Sequence, residues 1–182
     1  MVARFDAMKD HRTFIRAASL LARQDKRVHF ALIGSGMEAG NRVLLSEIPL
    51  TLRNRFHLLG QRDDMPRVMN GLDILTSTSF GEGFSNVVGE AMSSGTICVV
   101  SDVGDSAFIV GDTGLVVRPA APVELFEAWK SLLQSDDTDL QKMRDRARDR
   151  IIERFAIESI VSRFEDFYQG LFKKKDAMAL RR

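Results

Sequence analysis

The residues best suited to do chemistry in this chain lie in one stretch, Phe80-Gly81-Glu82-Gly83-Phe84-Ser85-Asn86-Val87-Val88-Gly89-Glu90-Ala91-Met92. Glu82 sits in a glycine-flanked loop, and Glu90 follows eight residues later. Ser85 or Asn86 can cap a helix running to Ser94, with Gly95 as its C-terminal stop. That places Glu90 about two turns into the helix. The backbone N–H groups at residues 85–88 have no partner within a helix that starts there, so they suit a phosphate. Glu90 can reach back and accept hydrogen bonds from a pair of hydroxyls, such as those of a ribose. Spacing alone leaves plainer readings open: Glu82 as a solvated loop charge, and Glu90 as a glutamate bonded to backbone.

Two further places carry phosphate chemistry in principle. Arg4 and Lys9 flank one loop near the start. A planar guanidinium and a point-charge ammonium together can neutralise a diphosphate, although on their own these two residues read better as surface charge. Gly34-Ser35-Gly36-Met37-Glu38-Ala39 follows a strand candidate and has the G-x-G-x-x-A form of a dinucleotide fingerprint. The acidic residue expected after the next strand is missing, since that segment reads Leu58-Leu59-Gly60-Gln61. The loop also follows the second strand rather than the first. A tight strand-to-helix turn accounts for it more simply, and NAD-dependent oxidoreduction ranks last among the functions considered. His11, His29 and His57 lack ligand-like spacing, so no metal is expected. Cys98, in an apolar run, reads as core rather than nucleophile.

These loops need a scaffold that brings them to one edge. Short apolar runs at residues 2–5, 28–33, 56–59, 72–75, 96–101 and 115–117 read as six strands. Between them lie helical stretches at 10–23, 37–47, 65–70 and 85–94. The run Ile97-Cys98-Val99-Val100 is continuously apolar, as in a strand covered on both faces. Alternation at this spacing predicts a parallel sheet with helices on both sides, whose ligands sit at the carboxyl ends of the strands. Past Pro122 only helices are expected, at 123–133, 140–155 and 159–171, with a loop at 135–139. The division expected is a nucleotide-binding unit at 1–155 and a helix with a basic tail at 156–182.

Composition removes several function classes. With 182 residues, 45% hydrophobic and 28% charged, the chain can bury a core without disulfides or metal. A single cysteine excludes an intramolecular disulfide. Twenty-six basic against 25 acidic residues argue against a nucleic-acid binder. No apolar run reaches the ~20 residues of a membrane span. A cytoplasmic protein is the expectation. Lys173-Lys174-Lys175 and Arg181-Arg182 read first as a solvated, frayed tail, and as a contact with the inner membrane face only if a second signal helps.

The wording of these segments adds a resemblance. Residues 2–11 (Val-Ala-Arg-Phe-Asp-Ala-Met-Lys-Asp-His), 31–36, 58–60, 79–92, 100–104 and 113–117 together resemble the donor-binding C-terminal domain of the retaining family 4 glycosyltransferases. These are the "glycosyl transferase group 1" proteins, of GT-B fold. The resemblance implies an α/β, Rossmann-like three-layer sandwich. Its six-stranded parallel sheet would run in the order 3-2-1-4-5-6, with a helical C-terminal tail, forming one half of a GT-B fold. It implies that Arg4 and Lys9 hold the donor diphosphate and that Glu82 lies by the transferred sugar, these three being the catalytic set. Main chain at Gly83, Phe84, Ser85, Asn86 and Val87 would hold sugar and phosphate, with Gly34 and Gly36 nearby. Gln61 and Arg62 would meet the base, and Glu90 the ribose. The substrate would be a UDP- or GDP-linked sugar, with no cofactor, in a pathway such as polysaccharide biosynthesis.

Members of that family carry a second Rossmann domain with the acceptor site. A chain starting at the central strand is expected to lack it, to be inactive alone, and to expose Phe5, Met8 and Phe84 for self-association. The other readings are a non-catalytic nucleotide-sugar module or half-enzyme that pairs with a separate chain, and a nucleotide-sugar epimerase of GT-B type.

Overall fold

The computed structural model describes residues 1–179. Strands and helices alternate: α1 (His11–Gln24), β1 (Phe30–Ile33), α2 (Arg42–Glu47), β2 (Phe56–Gly60), α3 (Met65–Asn70), β3 (Ile74–Ser77), α4 (Asn86–Ser93), β4 (Ile97–Ser101), α5 (Ser106–Val110) and β5 (Leu115–Val117). Three helices follow: α6 (Pro122–Gln134), α7 (Asp137–Phe155) and α8 (Ile157–Ala179). All strand pairings are parallel. The five residues of β4 are all buried, as its continuous apolar run requires.

The expected six-stranded sheet is not formed. There are two sheets, β1-β2 and β3-β4-β5. The segment at Val2 makes only an isolated parallel bridge to Ile33 and is not a strand. Its other edge faces a cavity of about 270 Å³ lined by Val2, Thr76 and Ser77, so its polar groups have no ladder partner on β3. The pairings that do form, β2 with β1 and β3 with β4 with β5, follow the expected neighbours. The expected pairing across the middle is the one missing among the described residues.

Helices cover both faces. α1 presents Phe14, Ala17, Ala18 and Leu21 at helical spacing, all buried, and packs against α6. Asp10 caps α1 in the left-handed region (φ 45°), accepting a hydrogen bond from the Thr13 N–H at 3.1 Å. Phe14, Phe30 and Trp129 form an aromatic cluster, with Phe14 5.3 Å and Phe30 6.0 Å from the Trp129 ring. On the opposite face α4 packs against α7, with Val88, Ala91, Met92 and Ala147 buried.

The helices differ from the sequence reading in several places: α5 was not expected, and α8 runs Ile157–Ala179 rather than 159–171. α2 starts at Arg42 rather than Met37, because Glu38 forms an antiparallel bridge with Leu59 that holds the chain extended. Asn41 then caps α2. α7 starts at Asp137, capped by Asp136, so the expected loop at 135–139 is shorter. No described helix is long and apolar enough to cross a membrane. The reading of the basic residues as a solvated tail or a membrane contact falls outside what the structure describes, which covers neither the side chains of Lys173 to Lys175 nor any part of Arg181 and Arg182.

Candidate functional site

The 270 Å³ cavity opens at the carboxyl ends of the strands, between the Met1–Arg4 segment and the loop after β3. Arg4, Lys9, Ser79, Glu82, Ser85 and Val87 line it. The Lys9 Nζ donates to Glu82 Oε1 at 2.5 Å, and Ser79 Oγ donates to the same oxygen at 2.6 Å. The two charged side chains are 22% and 13% exposed, so this pair is shielded far more than a surface ion pair. Other hydrogen bonds fix the loops that carry it. Thr78 Oγ1 lies 3.0 Å from the carbonyls of both Lys9 and Asp10, and the Phe80 N–H donates to the Met8 carbonyl at 2.8 Å.

The loop after β4 braces Glu82 from behind. Gly104 has φ 52°, and a Cβ there would lie 1.9 Å from the Glu82 carbonyl oxygen. Both the conformation and the approach require glycine. Gly104→Ala is expected to lower stability by about 1–3 kcal/mol and to displace the Glu82 loop. Denaturant unfolding of the variant checks this; an unchanged midpoint would show that the loop yields freely.

Arg4 is 70% exposed on its side chain and pairs with Asp6 at 3.1 Å. Asp6 caps the 3₁₀ turn Ala7–Lys9 by accepting from the Met8 N–H, and this bond, then Arg4, holds its carboxyl below the usual range. Ser85 is the N-cap of α4 but makes no side-chain capping bond, which leaves the first N–H groups of α4 open to a ligand. Glu90 is the fifth residue of α4, just over one turn in rather than two. It is exposed and three residues on from Val87, hence on the same face as a cavity-lining residue. Gly83 and Asn86 are exposed beside the cavity. Phe84 is exposed too, its ring 5.5 Å from Phe155 at the end of α7.

The remaining expected residues do not line this cavity. Gly34 (φ 136°) and Gly36 (φ 82°) let their loop cross the first segment, since a Cβ would come within 2.1 Å of the Ala3 oxygen or 2.6 Å of Phe5 Cβ. Because α2 begins only at Arg42, no helix opens after these glycines and the dinucleotide fingerprint is not realised. Gln61 and Arg62 are exposed after β2, and the Arg62 fork is occupied by Asp64, with both bonds at 2.8 Å. His29 and His57 stack on each other, 2.9 Å between ring nitrogens, away from the cavity. Among the described residues no three His, Cys, Asp or Glu side chains group for a metal. Burial pushes the Cys98 thiol up, away from a nucleophilic thiolate.

The sequence reading passed over Ser79, Thr78, Asp6 and Gly104. The run Ser77-Thr78-Ser79 at a strand end was the available signal for the first two, because hydroxyls there must find partners among neighbouring loops.

Comparison with known proteins accords with this geometry. The family model "Glycosyl transferases group 1" matches residues 1–135. N-acetyl-alpha-D-glucosaminyl L-malate synthase of Bacillus anthracis is 28% identical over 144 residues, which are 78% of this chain and 37% of that protein. Anabaena Alr3699/HepE, solved in complex with UDP, superposes with a TM-score of 0.81 at 25% identity, covering 93% of this chain and 47% of that one. The C-terminal domain of the Francisella tularensis group 1 protein LpcC shares the fold, with a TM-score of 0.70 at 20% identity, and here the match covers 85% of this chain and 83% of that one. The chain thus spans less than half the length of the first two proteins and most of an isolated C-terminal domain. With the family model covering about three quarters of its residues, this chain belongs to the group 1 glycosyltransferases, as a C-terminal domain of GT-B type.

Proposed function

We propose that this chain is the donor-binding domain of a retaining glycosyltransferase, which moves a sugar from a nucleoside diphosphate to an acceptor hydroxyl. The observation that carries the reading is the shielded Lys9–Glu82–Ser79 cluster in a cavity that also meets Arg4 and the uncapped start of α4. As the bond between sugar and diphosphate breaks, negative charge grows on the leaving phosphate. Arg4, Lys9 and the first N–H groups of α4 supply the donors that meet it. Glu82, held by Ser79, is placed at the sugar end. Glu90 takes the ribose hydroxyls, and main chain at Gln61 and Arg62 takes the base. Charge neutralisation by these groups calls for no metal. UDP is the preferred nucleotide in this reading, supported by the UDP complex of the Anabaena neighbour. The break between α7 and α8 at Ala156 is taken as the boundary between the nucleotide-binding unit, 1–155, and the tail, 156–182.

A calorimetric panel of UDP, GDP and ADP tests the reading, with UDP expected to bind and the others to bind more weakly. Absence of binding by all three would overturn it. Glu90→Ala is expected to weaken UDP binding by about 1.5–3 kcal/mol, the scale of hydrogen bonds to a charged group. Unchanged affinity in a folded variant would remove Glu90 from the ribose site.

A further inference from the structure

His29 and His57 take no part in the donor site. They are 28 residues apart in the chain, so their spacing carries no ligand pattern, but the fold sets them side by side. His29 immediately precedes β1, and His57 is the second residue of β2. Phe30 pairs with Phe56 and Ala31 with His57, so the two histidines are diagonal neighbours on one face of the strand pair. The opposite face buries Phe30 and Phe56, whose ring centroids are 5.0 Å apart. Both imidazoles are exposed, at the rim of an opening of about 690 Å³ in the seam between the two sheets. His29 Nδ1 and His57 Nε2 lie 2.9 Å from each other.

Two neutral imidazoles in this contact share one N–H: one nitrogen donates it and the other offers a lone pair. If that proton moves, by way of water, to the far nitrogen of its own ring, two lone pairs face a single point with no net loss of a proton. That is the donor set of a chelate. Two nitrogens each ~2.0–2.1 Å from one ion stand about 2.9 Å apart at a right angle and about 3.4 Å apart at the tetrahedral angle. The observed separation matches the right angle of a tetragonal ion. The pair is also held in register. Phe30 and Phe56 anchor it from beneath, and the Arg55 guanidinium ties β2 to the approach of β1 by donating to the carbonyls of Val28 at 2.8 Å and Asp25 at 3.4 Å. The surroundings do not repel a cation. Asp25, Asp73 and Asp137 line the opening against Arg27 and Arg144, and Arg27 is spent on Asp25, with bonds of 3.1 and 2.8 Å.

We propose that His29 Nδ1 and His57 Nε2 chelate one tetragonal divalent transition-metal ion, Cu²⁺ before Ni²⁺, with water in its remaining positions. Cu²⁺ heads the order because divalent ions at a nitrogen site gain affinity towards it along the first transition row. The ion clips β1 to β2 on their solvent-facing side. It binds the folded register and not the separated histidines of an unfolded chain, so it stabilises the fold by mass action. The site lies at the amino ends of β1 and β2 and the donor cavity at the carboxyl ends, so the inference stands apart from the transferase reading.

The test uses the full chain without a histidine tag. Copper(II) chloride is titrated calorimetrically, in a non-coordinating buffer at about pH 7.5, into the unaltered protein, His29→Gln and His57→Gln. Metal-free urea midpoints check that the variants fold alike, as exposed positions allow. The unaltered protein is expected to bind one ion per chain, and each variant to bind it roughly tenfold or more weakly, because the second ligand acts at a high effective concentration. Electron paramagnetic resonance of the unaltered protein with Cu²⁺ should show a tetragonal centre coupled to two nitrogens. Saturating Cu²⁺ should raise the urea midpoint of the unaltered protein and of neither variant. Equal affinity across the three proteins would overturn the proposal, by reducing the site to a single surface histidine. A spectrum with one coupled nitrogen would do the same. One ion per two chains would also overturn it, since the ligands would then come from different molecules.

Discussion

Purified and mixed with a nucleotide sugar and a range of acceptors, the 182-residue chain is expected to bind the donor without turning it over. The chain spans 37% and 47% of the two longer proteins it matches. The expectation rests on the geometry of the site. Its catalytic candidates line one wall, and Phe5, Met8 and Phe84 beside it are 37%, 49% and 48% exposed. Holding donor and acceptor in reactive register accounts for about 7–11 kcal/mol of a barrier, and an open wall supplies little of it. Donor binding suffers less, because the proposed base, ribose and diphosphate contacts all lie on this chain. The measurement is release of nucleoside diphosphate over time. Multiple turnovers at about 1 s⁻¹ or faster, ordinary for an enzyme, would overturn the expectation.

Acid is expected to destabilise the fold well above the range where carboxylates titrate. The Met1 amine is buried against the Ala31 carbonyl, and desolvation lowers its pKa from 8.0 to about 5. Between those values the unfolded chain holds a proton that the folded chain has released. Stability therefore rises with pH through this window, and the full difference of on the order of 4 kcal/mol is lost once pH falls below about 5. His11 acts in the same direction lower down, because burial pulls its pKa from 6.5 to about 4 against the opposing charge of Asp10. Urea unfolding at pH 8.5, 6.5 and 5 reads the effect. Acetylating the amine removes the ammonium and should flatten the upper part of the slope. A pH-independent midpoint over this range would show that the amine reaches water.

These two expectations rest on features of very different visibility in the sequence. The helix at α1 and the strands β4 and β5 were readable because one apolar pattern dictates each of them. Ile97 to Val100 has no polar residue to turn outward, and Phe14, Ala17, Ala18 and Leu21 share one helical face. The segment at Val2 was not readable as a bridge, because the extent of its ladder depends on neighbours distant in sequence: it bridges to Ile33, while β3 pairs only with β4. Likewise α2 loses its first turn to a pairing of Glu38 with Leu59, twenty-one residues away. At the site, the resemblance named Lys9 and Glu82, and the fold brings these two side chains together across 73 residues. Gly104 acts through a loop-to-loop contact with Glu82 that no local pattern encodes, whereas Ser79, three residues from Glu82, lay in a hydroxyl run that could have been read.

Trp129 is the only tryptophan in the chain, and its indole N–H donates to Thr76 Oγ1 at 3.0 Å from a position that is 3% exposed. It also borders the 690 Å³ opening. All tryptophan emission from this protein therefore reports a single site at the junction of the two sheets. A change in hydration of the seam should shift the emission wavelength and alter collisional quenching, whereas events confined to the exposed α8 face should leave both untouched. The molecule carries its own optical gauge of whether its two sheets are sealed against water.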